Sequence, residues 1–421
     1  MKNQWWVVVY YLILMSILLS WGNTSAAPPI LFRVLFFIAV AIPAFLRRVP
    51  LLLAFSVFLT ITLYGNSYSY MPTSLSLYVI LAIVYYLFIT VTSTGFTFRL
   101  SQKSLLFLLI LSFIINALRG GDVKNITWSL LLICLLTPLL DQKDSVTARL
   151  FPSSFIIISL VLSGLFLAIG EQYTEAYDIQ EGLERSGWVD PNYFSSIIGM
   201  GAIIALCEIM SSKKPVLILL LLIVALLLSV YTMVSIASRG ALLAFSAAVT
   251  VILLASRIKP IPKLFIVGII ALFIYWMYSS STFDLLLYRI SNDSNGGSGR
   301  TKIWSSKMDA FLRNGTLLDY LFGFGYENTM DMGTSTRKGV HNDYLAFLFE
   351  YGLCGAALFL STLISPLLKT TERKNRPIVL SLTVYLAVCV LTLEPMSLGI
   401  LVFYVFYSYI DYLSRSKVRE L

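Results

Sequence analysis

Three residues of this 421-residue chain combine reactive chemistry with an unusual position: one histidine and two arginines. His341, the single histidine, stands in GVHNDYLAFLFEYG, where a polar stretch gives way to an apolar run. An imidazole, with an ordinary pKa of about 6.5, can accept a proton at neutral pH. Arg239 in SIASRGALLAF and Arg300 in SGRTKIW stand beside small residues that leave room for a ligand, and a guanidinium suits bidentate binding of phosphate. The set predicts a site that binds phosphate and handles a proton.

Residues after the histidine supply the support that such a site needs. Asn342 or Asp343 can cap the helix predicted from Tyr344 onward, which places His341 at the edge of that helix. Glu350 lies two turns into the same helix. A carboxylate at membrane depth needs a partner, and an arginine is the expected one.

Further candidates lie in polar segments. Arg289 follows an apolar run. The segment FGFGYEN, which contains Tyr326, is typical of a tight turn that brings backbone close to another element. The segment SGWVDPNYF contains Asp190 and Asn192. In RTKIWSSKMDAFLRNG, apolar residues recur at steps of three and four, which predicts an amphipathic helix on the membrane surface or against a bundle. Its basic residues are Arg300, Lys302, Lys307 and Arg313.

Each of these residues also has an ordinary explanation. An arginine at a helix end often extends to the membrane–water boundary, and basic residues on a surface helix are attracted to anionic headgroups. A lone histidine is most often a loop residue. The functional interpretation therefore depends on whether the three residues share one face of the protein.

The composition predicts the elements that must position them. Hydrophobic residues make up 58% of the chain and charged residues 13%. Apolar runs near the length of about 20 residues that spans a bilayer recur throughout, so we expect an all-α, polytopic transmembrane bundle of about 12–14 spans. The predicted spans are 4–21, 30–46, 50–65, 75–93, 104–118, 125–140, 153–170, 192–210, 215–236, 240–256, 264–281, 344–368, 378–393 and 396–412.

Charge between the spans predicts their orientation. With a cytoplasmic N-terminus, the inside segments hold nineteen Lys and Arg residues, against five in the short outside loops and outer helix ends. Both termini are therefore expected in the cytoplasm, and Arg239, Arg300 and His341 on the outer face. The net charge of +9 follows from this bias and indicates no nucleic-acid partner.

The predicted organisation is a single integral membrane domain, residues 1–421, with a large outer loop at 282–343 and a smaller one at 171–193. The stretch after Lys2 resembles a secretory signal but is longer than usual, which favours an uncleaved first span. Cys134, Cys207, Cys354 and Cys389 fall within spans without paired spacing, as apolar fillers do. No P-loop, Rossmann glycine pattern, Asp-x-Asp pair or zinc-binding cluster occurs, so no cofactor and no metal are expected.

The motifs SRGALLAF, SGRTKIW, LFGFGYEN and HNDYLAFLFEYGLCGAALF, in that order, resemble the superfamily of O-antigen polymerases and O-antigen ligases. The Asp-Pro-Asn segment SGWVDPNYFSSIIGMG is similar to one common among its members. The resemblance covers about residues 180–365. The outer loop is rather short for the family, which leaves acceptor recognition open.

The resemblance implies an enzyme that transfers a glycan from an undecaprenyl-diphosphate carrier at the periplasmic face of the bacterial inner membrane, without nucleotide or metal. Arg239 and Arg300, with Arg289 as a weaker candidate, would bind the diphosphate, and His341 would activate the acceptor hydroxyl. The implied partners are a carrier-linked oligosaccharide donor and acceptor, membrane lipids and a protein that regulates chain length.

Two interpretations within the family, and one outside it, stay open. A polymerase passes the chain to another carrier-linked repeat unit, and the Asp-Pro-Asn and HNDYL segments favour it. A ligase passes the polymer to lipid A–core. A lipid-linked oligosaccharide flippase would also suit about fourteen spans, although it gives no reason for polar motifs to gather on one face.

Overall fold

The described part of this computed structural model is helical. It comprises residues 114, 145–169, 174–178, 183–186, 191–211, 214–256, 260–291, 299–325, 332–333, 340–392 and 400–415. The chain divides into two compact units: Met1–Phe96, Pro138–Ile209 and Lys213–Thr232 form the first, and Thr97–Thr137, Met210–Ser212 and Met233–Leu421 form the second. The first six predicted spans lie outside the described residues, apart from residue 114.

The first unit holds three helices and a small hairpin among its described residues. They are α1 (Ser145–Ile169), β1 (Thr174–Asp178), β2 (Leu183–Ser186), α2 (Pro191–Ser211) and α3 (Val216–Ser235), whose last turn belongs to the second unit. The strands β1 and β2 pair antiparallel, with Thr174 opposite Ser186 and a register shift between Glu175 and Asp178.

Small polar residues join the three helices of the first unit. Ser159 Oγ donates to the Ile198 carbonyl at 2.8 Å, and the Ser159 and Ser229 hydroxyls are 2.6 Å apart. Gly201 faces Ser159 so closely that a Cβ atom would lie 2.3 Å from the serine Cβ. Close approach through small residues and interhelical hydrogen bonds is typical of helix packing in membranes.

The second unit contains the remaining helices of the described part. They are α4 (Arg239–Ala255), α5 (Pro260–Ser279), α6 (Asp284–Ser291), α7 (Arg300–Asn314), α8 (Leu317–Phe322), α9 (Asp343–Lys369), α10 (Arg376–Thr392) and α11 (Ile400–Arg415). The helices α4 and α10 pack along their length, where Ser381 Oγ donates to the Ala248 carbonyl at 2.8 Å. The helices α9, α10 and α11 pack against one another.

The predicted all-α fold is confirmed, with the hairpin β1–β2 as an addition within the loop 171–193. All eight apolar runs predicted after residue 150 are helices, most of them with ends within two residues of those predicted. Four bounds differ more: α1 begins eight residues early, α5 begins four residues early, and α11 begins four residues late and ends three residues late. Helical hydrogen bonding continues past the end of an apolar run, so hydropathy alone places such ends poorly.

Two helices of the described part, α3 and α9, are long and apolar enough to cross a membrane, and α1, α2, α4, α5 and α10 contain shorter apolar stretches. Large apolar side chains of α3 and α5 are not covered by other parts of the described protein. Apolar surface of this extent needs an apolar environment. The fold is therefore that of a helical membrane protein.

Candidate functional site

Arg239 is the first residue of α4, and only three residues separate it from the end of α3. The connection is tight because Ala237 takes a left-handed conformation, with φ at 56°, and its amide donates to the Val234 carbonyl at 2.8 Å. A non-glycine residue rarely adopts a positive φ. The predicted hinge between the ninth and tenth spans is therefore confirmed, and its backbone is strained next to the arginine.

Thr392, the last residue of α10, joins the two arginine motifs. Gly240 packs against it so closely that a Cβ atom on the glycine would lie 2.6 Å from Thr392 Oγ1. Arg300 Nη1 donates a hydrogen bond to the Thr392 carbonyl oxygen. This carbonyl is one of those that a helix leaves without an internal partner at its C-terminus, where a cation is favourable. The structure thus brings the Arg239 and Arg300 segments together.

The histidine segment is attached to the helix that begins at Arg300. Trp304, one turn along α7, donates through Nε1 to the Val340 carbonyl at 2.7 Å, directly before His341. Val340, Phe311 and Phe349 form a buried cluster beneath this contact. His341 itself is half-buried and left-handed, with φ at 51°. All three predicted motifs therefore meet in one region of the second unit.

The start of α9 fixes the backbone after the histidine. Of the two predicted caps, Asn342 is the one used: its Oδ1 accepts from the Leu345 amide at 3.2 Å. Asp343 is the first helical residue and is buried. Tyr344 donates its hydroxyl to the Ala387 carbonyl at 3.0 Å, about 7 Å along α10 from Thr392. Asn342 and Tyr344 therefore have structural roles here.

Three helix N-termini carry the predicted site residues. Arg239 begins α4, Arg300 begins α7 and His341 lies two residues before α9. The N-terminus of a helix carries a partial positive charge and unpaired amide donors. Together with two guanidinium groups, these ends make the region suited to an anion, and phosphate is the usual ligand of such ends.

The predicted amphipathic helix is confirmed as α7, and it packs against other elements within the second unit. Its residues Trp304 and Phe311 contact Val340 and Phe349 respectively. Lys307 lies on the same side and is fully buried, so attraction to lipid headgroups does not explain it. Lys302 and Arg313 are exposed, as a surface position requires.

The expected tight turn in FGFGYEN contacts a break in α9. Gly352 interrupts that helix with φ at 67° and ψ at −166°. The amides of Phe324 and Gly325 donate to the carbonyls of Phe349 and Glu350, both at 2.9 Å, and so replace bonds that the break removes. Glu350 is buried beside this contact, at 6% exposure.

Other predicted residues have different positions. Asn192 lies in the first unit, at the second residue of α2, where its carbonyl accepts from Ser196 Oγ at 2.7 Å. Arg289 lies in α6, a helix that the sequence did not predict. Asp190 and Tyr326 lie outside the described residues. Within the described ranges, no group of three or more His, Cys, Asp or Glu residues could hold a metal ion.

Sequence reasoning missed two residues that build this region, Thr392 and the polar function of Trp304. Thr392 contacts Arg300 through its backbone carbonyl, which has no residue-type signature, and Gly240 through its side chain. Trp304 was assigned only to the apolar face of its helix. Its indole N–H was the available signal, because a buried tryptophan usually needs an acceptor.

The fold and this region define a helical membrane protein with two arginines and a histidine at converging helix ends. Residues 224–360 match the family model for O-antigen ligase, and this segment includes Arg239, Arg300 and His341. The predicted resemblance to the O-antigen polymerase and ligase superfamily is confirmed by this match. It supports a function of the polymerase or ligase type and a glycosyltransferase-like membrane enzyme. The curated proteins include no significant match to this chain.

Proposed function

We propose that the protein is a surface-polysaccharide polymerase of the O-antigen type. It transfers a glycan from an undecaprenyl-diphosphate carrier to the terminal sugar of another carrier-linked repeat unit. Catalysis takes place at the periplasmic face of the bacterial inner membrane, and both termini lie in the cytoplasm. The observation that carries the proposal is the meeting of three motifs at Thr392 and Val340, although they are separated by about a hundred residues of sequence.

In this mechanism Arg239 and Arg300 bind the diphosphate of the donor. Negative charge develops on the diphosphate as the bond to the anomeric carbon breaks, and fixed cations stabilise it. The hydrogen bond to the Thr392 carbonyl orients the Arg300 guanidinium. Because a guanidinium carries five N–H donors, it can bind a phosphate and keep this hydrogen bond at the same time. Positive charge from the ends of α4 and α7 adds to this stabilisation.

His341 acts as the general base. Its imidazole takes the proton from the acceptor hydroxyl while the oxygen attacks the anomeric carbon, and the carrier diphosphate leaves. In-line attack inverts the configuration at that carbon. The flanking contacts of Val340 and Asn342 hold the histidine backbone in place, which supports a role that depends on position.

The leading alternative is an O-antigen ligase, which transfers the finished polymer to lipid A–core. The description of the matched family favours it. The Asp-Pro-Asn segment around Asp190 and Asn192, and the HNDYL segment at His341, favour the polymerase.

Deletion of the gene, followed by a gel of surface glycolipid, separates these functions. A single repeat unit on the acceptor supports a polymerase. An acceptor without glycan, with long polymer on the carrier, identifies a ligase. Glycan trapped at the cytoplasmic side identifies a flippase.

Substitutions in the deletion strain test the site. Arg239→Ala, Arg300→Ala and His341→Asn are expected to abolish polymer while membrane insertion is retained. Asparagine tolerates the left-handed backbone of position 341 but is not a base, so its effect separates proton transfer from strain. Arg313→Ala, at an exposed arginine near the other end of α7, is the matched control and should yield normal polymer. Normal polymer from the first three variants would refute the assignment.

A further inference from the structure

A second cationic region lies at the other end of the α4–α10 pair. Gly240 meets Thr392 at one end of these antiparallel helices, and Ser381 bonds to Ala248 near the middle. At the far end, Ala255 lines a cleft of about 420 Å³. The sixteen-residue rise from Arg239 to Ala255 corresponds to about 24 Å, so this cleft is separate from the candidate active site.

The walls of the cleft combine two cations with apolar side chains. Arg373 and Arg376 supply the charge, and Ala255, Pro377 and Leu380 supply the apolar surface. Both arginines are exposed, and neither guanidinium has an ion pair or a hydrogen bond to another described residue. Two like charges at one cleft repel each other, and a bound anion would remove that repulsion.

The arginines stand on an ordered turn. Asn375, between them, is buried and donates through Nδ2 to the Leu413 carbonyl of α11 at 3.1 Å. The Asn375 and Arg376 amides donate to the Glu372 carbonyl at 3.1 and 3.3 Å. Because α10 begins at Arg376, its positive N-terminal end also lies at the cleft. The backbone that carries both arginines is therefore ordered before any ligand binds.

We propose that this cleft binds the phosphate of an anionic phospholipid headgroup. A guanidinium binds phosphate through paired N–H donors, and two of them at one cleft provide the geometry for it. The apolar wall of Ala255, Pro377 and Leu380 suits the start of the acyl chains. The predicted topology places this end in the cytoplasmic leaflet, where anionic lipids and basic pockets between helices meet. This inference does not depend on the proposed enzymatic function.

The test compares lipid binding by the full-length protein and its variants. Native mass spectrometry counts phosphatidylglycerol molecules retained from nanodiscs, with phosphatidylcholine nanodiscs as the reference. Arg373→Gln/Arg376→Gln is expected to weaken phosphatidylglycerol retention by about tenfold or more, because each lost hydrogen bond between charged groups has about that effect. Lys374→Gln, at an exposed lysine of the same turn that does not line the cleft, should retain lipid like the wild type.

Two results would overturn the proposal. One is equal phosphatidylglycerol retention by the double variant and the wild type. The other is a result in detergent: inorganic phosphate alone raises the melting temperature of the wild type but not of the double variant, and phosphatidylglycerol raises it no further. The ligand is then a free phosphate. If the double variant does not fold, Arg373→Gln gives the same comparison, because it changes an exposed side chain outside α10.

Discussion

Replacing Gly240 with alanine tests whether the contact at Thr392 holds the two arginines in place. The new methyl group would lie 2.6 Å from Thr392 Oγ1 and 2.9 Å from its Cβ. Carbon contacts are favourable at about 3.5–4.0 Å, so α4 and α10 must separate locally by about 1 Å. Overpacking of this kind lowers the free energy of unfolding by about 1–3 kcal/mol. Replacing a helical glycine with alanine raises it by about 1 kcal/mol, because alanine has the higher helix propensity. The free energy of unfolding should therefore fall by only about 0–2 kcal/mol.

The effect on activity should be much larger. The Thr392 carbonyl anchors Arg300, so moving Thr392 moves that guanidinium relative to Arg239. A displacement of about 1 Å in a catalytic arrangement lowers the rate by about 100-fold. We expect polymer formation by Gly240→Ala, measured in the deletion strain and with purified carrier-linked repeat units, to fall by about that factor. Thermal unfolding in detergent should show a folded protein.

The chain offers a matched control and a rescue. Gly268, within the apolar helix α5, has no atom within 4 Å of its added Cβ position, so Gly268→Ala should keep full activity. Combining Gly240→Ala with Thr392→Gly removes the obstructing side chain and should restore part of the polymer. Equal activity of Gly240→Ala and Gly268→Ala would refute the reasoning, because the arginines would then not depend on this contact.

Two further substitutions test the supports of the site. Trp304→Phe removes the indole donor to Val340 and should lower the free energy of unfolding by about 1 kcal/mol, measured by thermal unfolding. Polymer yield should fall by more than this loss of stability explains. An unchanged polymer yield would contradict the role of this hydrogen bond. Gly352→Ala places a Cβ 2.3 Å from the Leu321 carbonyl carbon, on a backbone with φ at 67°. The substitution should therefore lower the free energy of unfolding by about 2 kcal/mol or more. A melting temperature within a degree of wild type would contradict the close contact between the break in α9 and the end of α8.

The long apolar helices of the described part were predictable because the bilayer requires long apolar runs, and the sequence contains those runs. The break in α9 was not. It depends on amides at Phe324 and Gly325, about 25 residues away, that satisfy the carbonyls freed at Phe349 and Glu350. A glycine within an apolar run, such as Gly352, does not indicate that a distant segment will bind there. Tertiary hydrogen bonding therefore decided what local sequence left open.

The candidate site was predictable at the level of residue types. Arg239, Arg300 and His341 were identified from charge and position, and the structure brings their segments together. The hydrogen bonds that join them run through the carbonyls of Thr392 and Val340, which any residue could supply, and Gly240 packs against the Thr392 side chain. Lys307 shows the converse limit: its type indicated attraction to anionic lipid headgroups, while its spacing of seven from Arg300 matches the buried side of α7.

Backbone strain distinguishes this region from an ordinary junction of helices, although strain alone does not identify a site. Among the described residues, Ala237, Ser281 and His341 are the non-glycine residues with positive φ, each at a cost of about 1–3 kcal/mol. Ser281 forms a turn between α5 and α6, where its carbonyl accepts from the Asp284 amide at 3.1 Å, and no predicted site residue is adjacent. Ala237 instead lies two residues before Arg239 at the start of α4, and His341 is itself a predicted site residue just before α9. There the same strain fixes the arginine and the histidine relative to the helix ends, because a backbone held in a rare conformation by its surroundings cannot drift toward a relaxed one. The coincidence of strain, helix ends and reactive side chains, rather than any one of them, is what supports a preorganised site for an anionic substrate.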